Sequence, residues 1–279
     1  MCRVTRNGSR LSGTKQEWIK YAALLVLAVV AFGVAGIALA GPRSPEEPAA
    51  ALEAVTPTAA ATPTASPTPT ATATATTQRL GVQLPAEPVL LILGDSYTVS
   101  EGAARTDQGW AYLVAGALGY PTNIDGEPGT GFAWGGGAQD ELGLEYEARL
   151  QTIAEDPAFV PNLLILQGGQ NDSLIADPEE IKAATAQTIE AARRLWPGVQ
   201  VVVLGPTAPQ PFAGELRATN GAIRAGAETA KAPFVDAAEG GWFTDANSPG
   251  YDFDGGHPNA AGHAHIAEKF LEAWAVLTA

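Results

Sequence analysis

An apolar run at residues 89–93 that continues as Gly-Asp-Ser at 94–96 is the feature that most constrains how this chain can fold. A short apolar run closed by glycine is typical of a buried parallel strand that ends in a tight turn. Similar runs at residues 162–167 and 199–204 predict two further buried strands. Open α/β sheets carry their chemistry at the carboxyl ends of the strands, so Ser96 lies where a nucleophile would be presented.

Segments with helical periodicity alternate with these strands along the chain. Helices are predicted at residues 108–119, 139–153, 178–195, 211–230 and 258–277, and weaker strands at residues 120–125 and 233–236. This alternation predicts an α/β fold of three layers, with about five parallel strands in a flavodoxin-like order and helices on both faces. The carboxyl edge of the sheet then collects the loops that follow residues 93, 125, 167 and 236.

The first 40 residues have the composition of an export signal. Residues 21–40 carry no charge and would form a helix of about 30 Å, the thickness of a bilayer core. Five basic residues within residues 1–20 place that segment in the cytoplasm and the remainder outside the cell membrane. We expect an uncleaved single-pass signal anchor, and a signal peptide cleaved near Ala40 is the alternative. Both interpretations export the rest of the chain, which would be secreted if the segment is cleaved.

Residues 41–88 have the composition of a linker. Positions 56–77 contain only Thr, Ala, Pro and Ser, which offer almost nothing to bury, so we expect a disordered spacer. In a polyproline II conformation this linker reaches at most roughly 150 Å. The segment left for a folded domain, residues 89–279, has a size that suits one α/β domain.

Charge and cysteine content exclude several classes of function. The net charge is −14, and residues 41–279 carry 11 basic against 29 acidic side chains, which argues against nucleic-acid binding and for neutral or cationic substrates. The single cysteine, Cys2, lies ahead of the predicted domain and leaves it without thiolate metal ligands. Side chains two positions apart on a helix diverge, so His263 and His265 do not form a metal site with His257. We therefore expect no metal or cofactor.

Residues near the end of the chain supply the partners that a serine nucleophile needs. In the Asp-Gly-Gly-His segment at 254–257, the glycines allow a tight turn in which Asp254 fixes the tautomer of His257. The other ring nitrogen of His257 can then face Ser96. Asp252 is an alternative orienting acid, although its spacing is less suitable.

Hydrogen-bond donors for a developing oxyanion are also present. Asn171 offers a side-chain amide, Gly129 offers a backbone N–H free of a side chain, and the Ser96 N–H is the third donor. Gly131 is an alternative to Gly129. Asp95 and Asp172 stand in turns beside these residues, where short acidic side chains usually bind loop backbone, so we interpret both as structural.

Four blocks in this order resemble the motifs of the SGNH hydrolases, also called GDSL lipases/esterases: Gly-Asp-Ser at 94–96, the glycine block at 126–132, Gly-Gln-Asn-Asp at 169–172 and Asp-Gly-Gly-His at 254–257. The resemblance implies that Ser96 is the nucleophile, His257 the general base and Asp254 its partner. It also implies an oxyanion hole formed by Ser96, Gly129 and Asn171, and no metal. Tyr97 and Thr98 stand where Leu or Ser is frequent in the family, which we expect to affect the acyl pocket.

The sequence therefore predicts an extracytoplasmic serine esterase that cleaves small or glycan-linked carboxylic esters, with a short acyl group, through an acyl-enzyme. Two alternatives remain at this point: an acyltransferase that uses the same triad, and a noncatalytic cell-surface binding module. Trp134, Trp242 and Phe243 could stack on a sugar, but we expect them to serve packing.

Overall fold

Five short parallel strands form the centre of the domain in the computed structural model, which describes residues 80–137, 142–175 and 177–279. The strands are β1 (Leu90–Gly94), β2 (Thr122–Gly126), β3 (Leu163–Gln167), β4 (Gln200–Leu204) and β5 (Phe234–Val235). Their order across the sheet is β2-β1-β3-β4-β5, and every pair is parallel. β1 and β3 are buried along their whole length, as their unbroken apolar sequences require. The predicted flavodoxin-like order is confirmed.

Alternate residues of the strands point to two separate layers of helices. The helices are α1 (Trp110–Leu118), α2 (Tyr146–Ile153), α3 (Pro178–Leu195), α4 (Phe212–Glu215), α5 (Arg217–Thr229), α6 (Ser248–Tyr251) and α7 (Ala260–Leu277). Leu90 and Ile92 pack with α1 and α7, whereas Leu91 and Leu93 pack with α2, α3 and α5. This arrangement gives the three-layer architecture that the sequence predicts. Short 3₁₀ turns occupy Thr106–Gln108 and Asn171–Leu174.

The start of α7 fixes the loop that carries the Asp-Gly-Gly-His segment. Asn259 caps the helix, accepting hydrogen bonds from the N–H groups of Ala261 and Gly262 at 2.9 and 3.0 Å. Its amide group also donates to the carbonyl oxygens of Gly250 and Asp252, both at 3.1 Å. One side chain therefore joins the helix to the preceding loop, two residues after His257.

Two predicted helices differ from the structure. Of the helix predicted over 139–153, residues 139–141 lie outside the described residues, and α2 begins at Tyr146. Backbone groups ahead of Tyr146 pair instead with the glycine-rich loop, residues 127–137. The N–H of Leu144 donates to Gly135 O and the N–H of Tyr146 to Gly131 O, and Gly143 has a φ of +60°, which ends any helix. The helix predicted over 211–230 is divided into α4 and α5.

The chain packs against the domain from Val82 onward. Val82 is 4% exposed and its N–H donates to Leu277 O at 2.8 Å, seven residues before the position at which we place the start of the domain. The predicted cytoplasmic segment 1–20, the membrane segment 21–40 and most of the linker 41–88 lie outside the described residues. Among residues 80–137, 142–175 and 177–279, no helix is long and apolar enough to cross a bilayer.

Candidate active site

Ser96 lies in the turn that follows β1, at the carboxyl edge of the sheet. Ser96 is 6% exposed, and its Oγ lies 3.0 Å from Nε2 of His257, which comes 161 positions later in the chain. Gly94, the last residue of β1, allows this turn to form, because a Cβ there would collide with Thr98 and Gln167. The serine hydroxyl thus meets a nitrogen base at hydrogen-bond distance.

The Asp-Gly-Gly-His segment forms the tight turn that the sequence predicts. Oδ2 of Asp254 lies 2.9 Å from Nδ1 of His257, and its Oδ1 accepts the N–H groups of His257 and Gly256 at 2.8 and 3.0 Å. Gly255 adopts a φ of +92°, a left-handed conformation that favours glycine. Partial desolvation raises the pKa of Asp254, but the hydrogen bonds from His257 and Gly256 outweigh it and hold this pKa below its usual value.

Asp252, the alternative orienting acid, has a different position in the same turn. Its Oδ1 accepts the N–H of Gly255 at 2.9 Å, so it supports the backbone of the turn. The imidazole of His257 is hydrogen bonded to Asp254 instead. The structure therefore brings Ser96, His257 and Asp254 together in one chain of hydrogen bonds.

Besides Ser96 itself, the predicted oxyanion donors lie in the loops that follow β2 and β3, the two strands that flank β1. Within the part of the chain that the structure describes, the N–H groups of Ser96 and Gly129 have no hydrogen-bond acceptor, whereas the N–H of Gly131 donates to Trp134 O at 2.7 Å. The side-chain amide of Asn171 donates one hydrogen to Thr130 O at 2.9 Å, and its second hydrogen has no acceptor among the described residues. Gly129 therefore has a free donor and Gly131 does not.

Asp172 supports the glycine-rich loop through hydrogen bonds to its backbone. Its buried carboxylate accepts the backbone N–H groups of Phe132, Ala133 and Trp134 at 3.1, 2.7 and 3.2 Å. Burial raises the pKa of Asp172, and these three N–H groups oppose the rise. A Cβ on Gly131 would lie 2.4–2.6 Å from the carboxylate, so that position accepts glycine alone. Asp172 thus shapes the loop, as its interpretation as a structural residue requires.

Tyr97 supports the histidine turn. Its side chain is 1% exposed, its hydroxyl donates a short hydrogen bond to Gly256 O, and its ring centroid lies 5.7 Å from that of His257. The neighbouring Thr98 is also buried, and its hydroxyl donates to Gln167 Oε1 at 2.7 Å. These contacts place Tyr97 against the turn of the triad and Thr98 in the interior of the domain, and the expected effect of the two residues on the acyl pocket stays a prediction.

Replacing Tyr97 with phenylalanine is expected to lower kcat about tenfold, because Gly256 O loses its buried donor and the turn that carries His257 loosens. Steady-state kinetics on an aryl acetate measure the effect. Tyr112→Phe, a change on α1, is the matched control and should retain wild-type kcat. Equal kcat for Tyr97→Phe and the wild type would show that the hydroxyl does not position the turn.

Asp95 is completely buried beside the nucleophile. Its Oδ1 accepts the N–H of Tyr97 at 2.9 Å, while its Oδ2 has no partner among the described residues. Burial raises the pKa of Asp95 to about 7, although the Tyr97 N–H opposes the shift. The native protein therefore keeps this proton to about pH 7, whereas an unfolded chain releases it near pH 4.

Because the pKa of Asp95 is higher in the native protein than in the unfolded chain, the contribution of Asp95 to the free energy of unfolding falls as pH rises from about 4 to about 7. Asp95→Asn is expected to flatten that fall and to be more stable than the wild type at pH 8, by up to about 4 kcal/mol. Urea unfolding between pH 4.5 and 8 measures the effect, with the exposed Asp156→Asn as control. An Asp95→Asn profile that superimposes on the wild type would contradict it.

The two remaining histidines serve packing. His263 is fully buried, with Nε2 2.8 Å from Glu101 O and Nδ1 accepting the N–H of Trp110, and burial lowers its pKa. His265 stacks on Tyr251 and its Nε2 hydrogen bonds to Trp242 O at 2.7 Å. Across the described ranges, no group of three or more His, Cys, Asp or Glu side chains could hold a metal ion.

The tryptophan and phenylalanine residues considered for sugar stacking are largely packed. Trp242 and Phe243 are 7% and 6% exposed and belong to the core beside α7, while Trp134 is half-buried in the glycine-rich loop. By contrast, Phe253 is 61% exposed next to Asp254. Phe253 was not predicted from the sequence, since one aromatic residue in a polar loop forms no recognisable pattern.

Arg149 is a further residue near the site that was not predicted from the sequence. It lies on the buried face of α2 with Tyr146 and Leu150 and is 6% exposed. The available signal was its spacing, three residues after one apolar position and one before another, which places a charge on the face turned to the core. A buried charge of this kind needs hydrogen-bond acceptors, and Arg149 donates to carbonyl oxygens at the ends of β1 and β2.

Comparison with known proteins adds to this geometry. Residues 92–265 match the GDSL-like Lipase/Acylhydrolase family. A relative, GDSL lipase Rv0518 of Mycobacterium tuberculosis, is 29% identical over 189 residues, which cover 64% of this chain and 78% of the relative.

Solved structures share the fold. A carbohydrate esterase family 2 enzyme of Corynascus thermopiles (Myceliophthora fergusii) has a TM-score of 0.54 and 22% identity, covering 70% of this chain and 68% of that one. Est24, a carbohydrate acetylesterase of Sinorhizobium meliloti, has a TM-score of 0.53 and 21% identity, covering 68% and 99%.

Proposed function

The chain belongs to the GDSL-like lipase/acylhydrolase family, and from this membership we propose that it hydrolyses carboxylic esters with Ser96 as nucleophile, His257 as general base and Asp254 as the residue that orients the base. The family match bears out the resemblance to SGNH serine esterases. The observation that carries the proposed roles is the hydrogen-bonded series from Ser96 Oγ through His257 to Asp254, with distances of 3.0 and 2.9 Å.

In the first half of the reaction, Ser96 Oγ attacks the ester carbonyl carbon while its proton moves to Nε2 of His257. The carbonyl oxygen becomes an oxyanion that accepts hydrogen bonds from the N–H groups of Ser96 and Gly129 and from the free amide hydrogen of Asn171. Collapse of this intermediate breaks the bond to the alcohol, which takes the proton from His257. An acyl group then remains on Ser96.

In the second half, water replaces the alcohol. His257 Nε2 removes a proton from water as its oxygen attacks the acyl carbon, and the same three donors receive the second oxyanion. Collapse returns the proton to Ser96 Oγ and releases the carboxylic acid. Asp254 stabilises the imidazolium in both halves, since its Oδ2 accepts from Nδ1 throughout.

We assign the substrate to short-chain acyl esters carried by a neutral molecule, such as a glycan. The structurally similar proteins include enzymes described as carbohydrate esterases and acetylesterases, which supports an acetylated sugar. Acidic side chains at Glu101, Glu127 and Asp252 stand in the loops that carry the site, so an anionic substrate would be repelled. The exposed ring of Phe253 beside Asp254 offers an apolar surface for a sugar ring.

We also propose that residues 21–40 anchor the enzyme in the cell membrane with its catalytic domain outside. The uncharged apolar segment and the basic residues that precede it support this location. Protease treatment of intact cells tests it. Digestion of the catalytic domain without lysis is the expected result, and protection until lysis would contradict it.

Hydrolysis by the full-length chain in detergent tests the reaction. We expect turnover of p-nitrophenyl acetate above that of butyrate and octanoate, release of acetate from an acetylated oligosaccharide, and labelling of Ser96 by a fluorophosphonate. A higher rate on octanoate would contradict the acyl preference. Absence of both turnover and fluorophosphonate labelling would contradict the esterase proposal itself. Transfer of the acyl group to an added alcohol in preference to water would identify an acyltransferase.

A further inference from the structure

A buried guanidinium group joins three elements of the catalytic edge. Arg149 Nη1 donates to Gly94 O and to Thr130 Oγ1, both at 2.9 Å. Its Nη2 donates to the carbonyl oxygen and to Oδ1 of Asp125, at 2.7 and 2.9 Å. One side chain of α2 thus contacts the end of β1, the end of β2 and the glycine-rich loop.

The place of this charge is unusual for a residue that serves stability alone. Burying a cation is costly even when it is paired, and an apolar side chain on the same face of α2 would avoid that cost. The acceptors of Arg149 instead lie close to the reacting groups. Gly94 is two residues before Ser96, and Thr130 directly follows Gly129.

Thr130 connects Arg149 with the proposed oxyanion donors. Its hydroxyl accepts from Arg149 and donates to Glu127 O at 2.8 Å, which fixes the side chain. Its carbonyl oxygen accepts the amide of Asn171 at 2.9 Å. The N–H of Glu127 donates in turn to Gly94 O at 3.0 Å. The loop that carries the Gly129 N–H is therefore joined to the Ser96 strand through the guanidinium.

The loop also has support on a second side. Asp172 accepts three N–H groups from residues 132–134, while Arg149 holds the hydroxyl of Thr130. The segment between these two contacts contains Gly131, where no larger residue fits. Asp172 and Arg149 thus fix the loop from two sides. The part of the loop that contains Gly129 is held by Arg149 through Thr130.

We propose that Arg149 is a positioning residue for the oxyanion hole, which sets the distance of the Gly129 N–H and the Asn171 amide from Ser96 through its hydrogen bond to Thr130. This inference rests on the proposed esterase function. Because the oxyanion exists only after Ser96 has attacked, the effect of Arg149 belongs to kcat and not to substrate binding.

Kinetics of Arg149→Met, Arg149→Lys and Thr130→Val in the full-length chain test the proposal. Misplacement of a catalytic group by 1 Å costs roughly 10²-fold, so we expect Arg149→Met to lower kcat by about that factor, with KM within about threefold of the wild type. Arg149→Lys keeps the charge and one donor and should recover part of the loss. Thr130→Val should lower kcat about tenfold, and Thr130→Ser should restore it.

The double variant Arg149→Met/Thr130→Val separates positioning from general stability. If Arg149 acts through Thr130, the double variant loses no more kcat than Arg149→Met. The matched control is Arg193→Met. Arg193 also donates to a backbone carbonyl, that of Ala230, but it does so on α3 away from the site. We expect this control to lower the melting temperature and to leave kcat unchanged.

Several results would overturn the inference. Wild-type kcat in folded Arg149→Met, a loss confined to KM, or losses that multiply in the double variant each exclude positioning through Thr130. If Arg149→Met does not fold, a wild-type kcat in Thr130→Val would likewise exclude positioning through Thr130. Absence of turnover by the wild type would overturn the proposed function together with this inference, whereas the other outcomes leave the esterase function intact.

Discussion

Replacing Ser96 with alanine is expected to lower kcat on p-nitrophenyl acetate by roughly 10⁴–10⁶-fold, because no other hydroxyl lies at hydrogen-bond distance from His257 Nε2 among the described residues. Any remaining rate reflects oxyanion donors acting on attack by water. Initial rates and fluorophosphonate labelling measure the change, and the variant should resist labelling completely.

His257→Ala should cause a loss of similar size, and Ser96→Ala/His257→Ala should lose no more, since the two residues act as a unit. Ser100→Ala is the matched control, because Ser100 is also buried in the turn after β1 but donates to Thr106 O. It should retain kcat. A rate for Ser96→Ala within tenfold of the wild type would exclude Ser96 as the nucleophile.

Asp254→Asn is expected to lower kcat by roughly 10³–10⁴-fold with little change in KM. Asparagine keeps an oxygen for the N–H groups of Gly256 and His257, so the turn survives. Its amide can also donate to Nδ1, which stabilises the tautomer with the proton on Nε2. That tautomer cannot accept the proton of Ser96.

Asp252→Asn supplies the comparison within the same turn. Asp252 also accepts a backbone N–H, that of Gly255, but does not touch the imidazole, so we expect kcat within about threefold of the wild type. Steady-state kinetics from pH 6 to 9 measure both variants. Equal losses in the two would mean that the carboxylates act through the turn and that Asp254 has no specific part in orienting His257.

The sequence predicts those parts of the fold that local patterns determine. The apolar runs of β1, β3 and β4 correspond to strands, and α3 has the predicted bounds of Pro178–Leu195, with Asp177 as its cap. The turn at 254–257 is predictable as well, because its carboxylate, glycines and imidazole are adjacent in sequence.

Contacts between distant residues are the part that local patterns do not determine. Arg149 binds Gly94, 55 positions earlier, and Tyr97 binds Gly256, 159 positions later. A single arginine in a charged helix usually faces solvent, and a tyrosine after a serine has no preferred partner. The start of α2 differs from the prediction for a related reason, since the N–H groups of Leu144 and Tyr146 donate to the glycine-rich loop, which lies at least nine positions earlier in the sequence.

The helix α7 also separates the catalytic edge from the place where the chain joins the domain. Its N-cap, Asn259, lies two residues after His257, and its last residue, Leu277, accepts the N–H of Val82. Its 18 residues extend about 27 Å, so the chain enters the domain at the end remote from Ser96. The point at which the described chain joins the domain therefore lies about one helix length from Ser96 and His257, so it does not obstruct the catalytic edge.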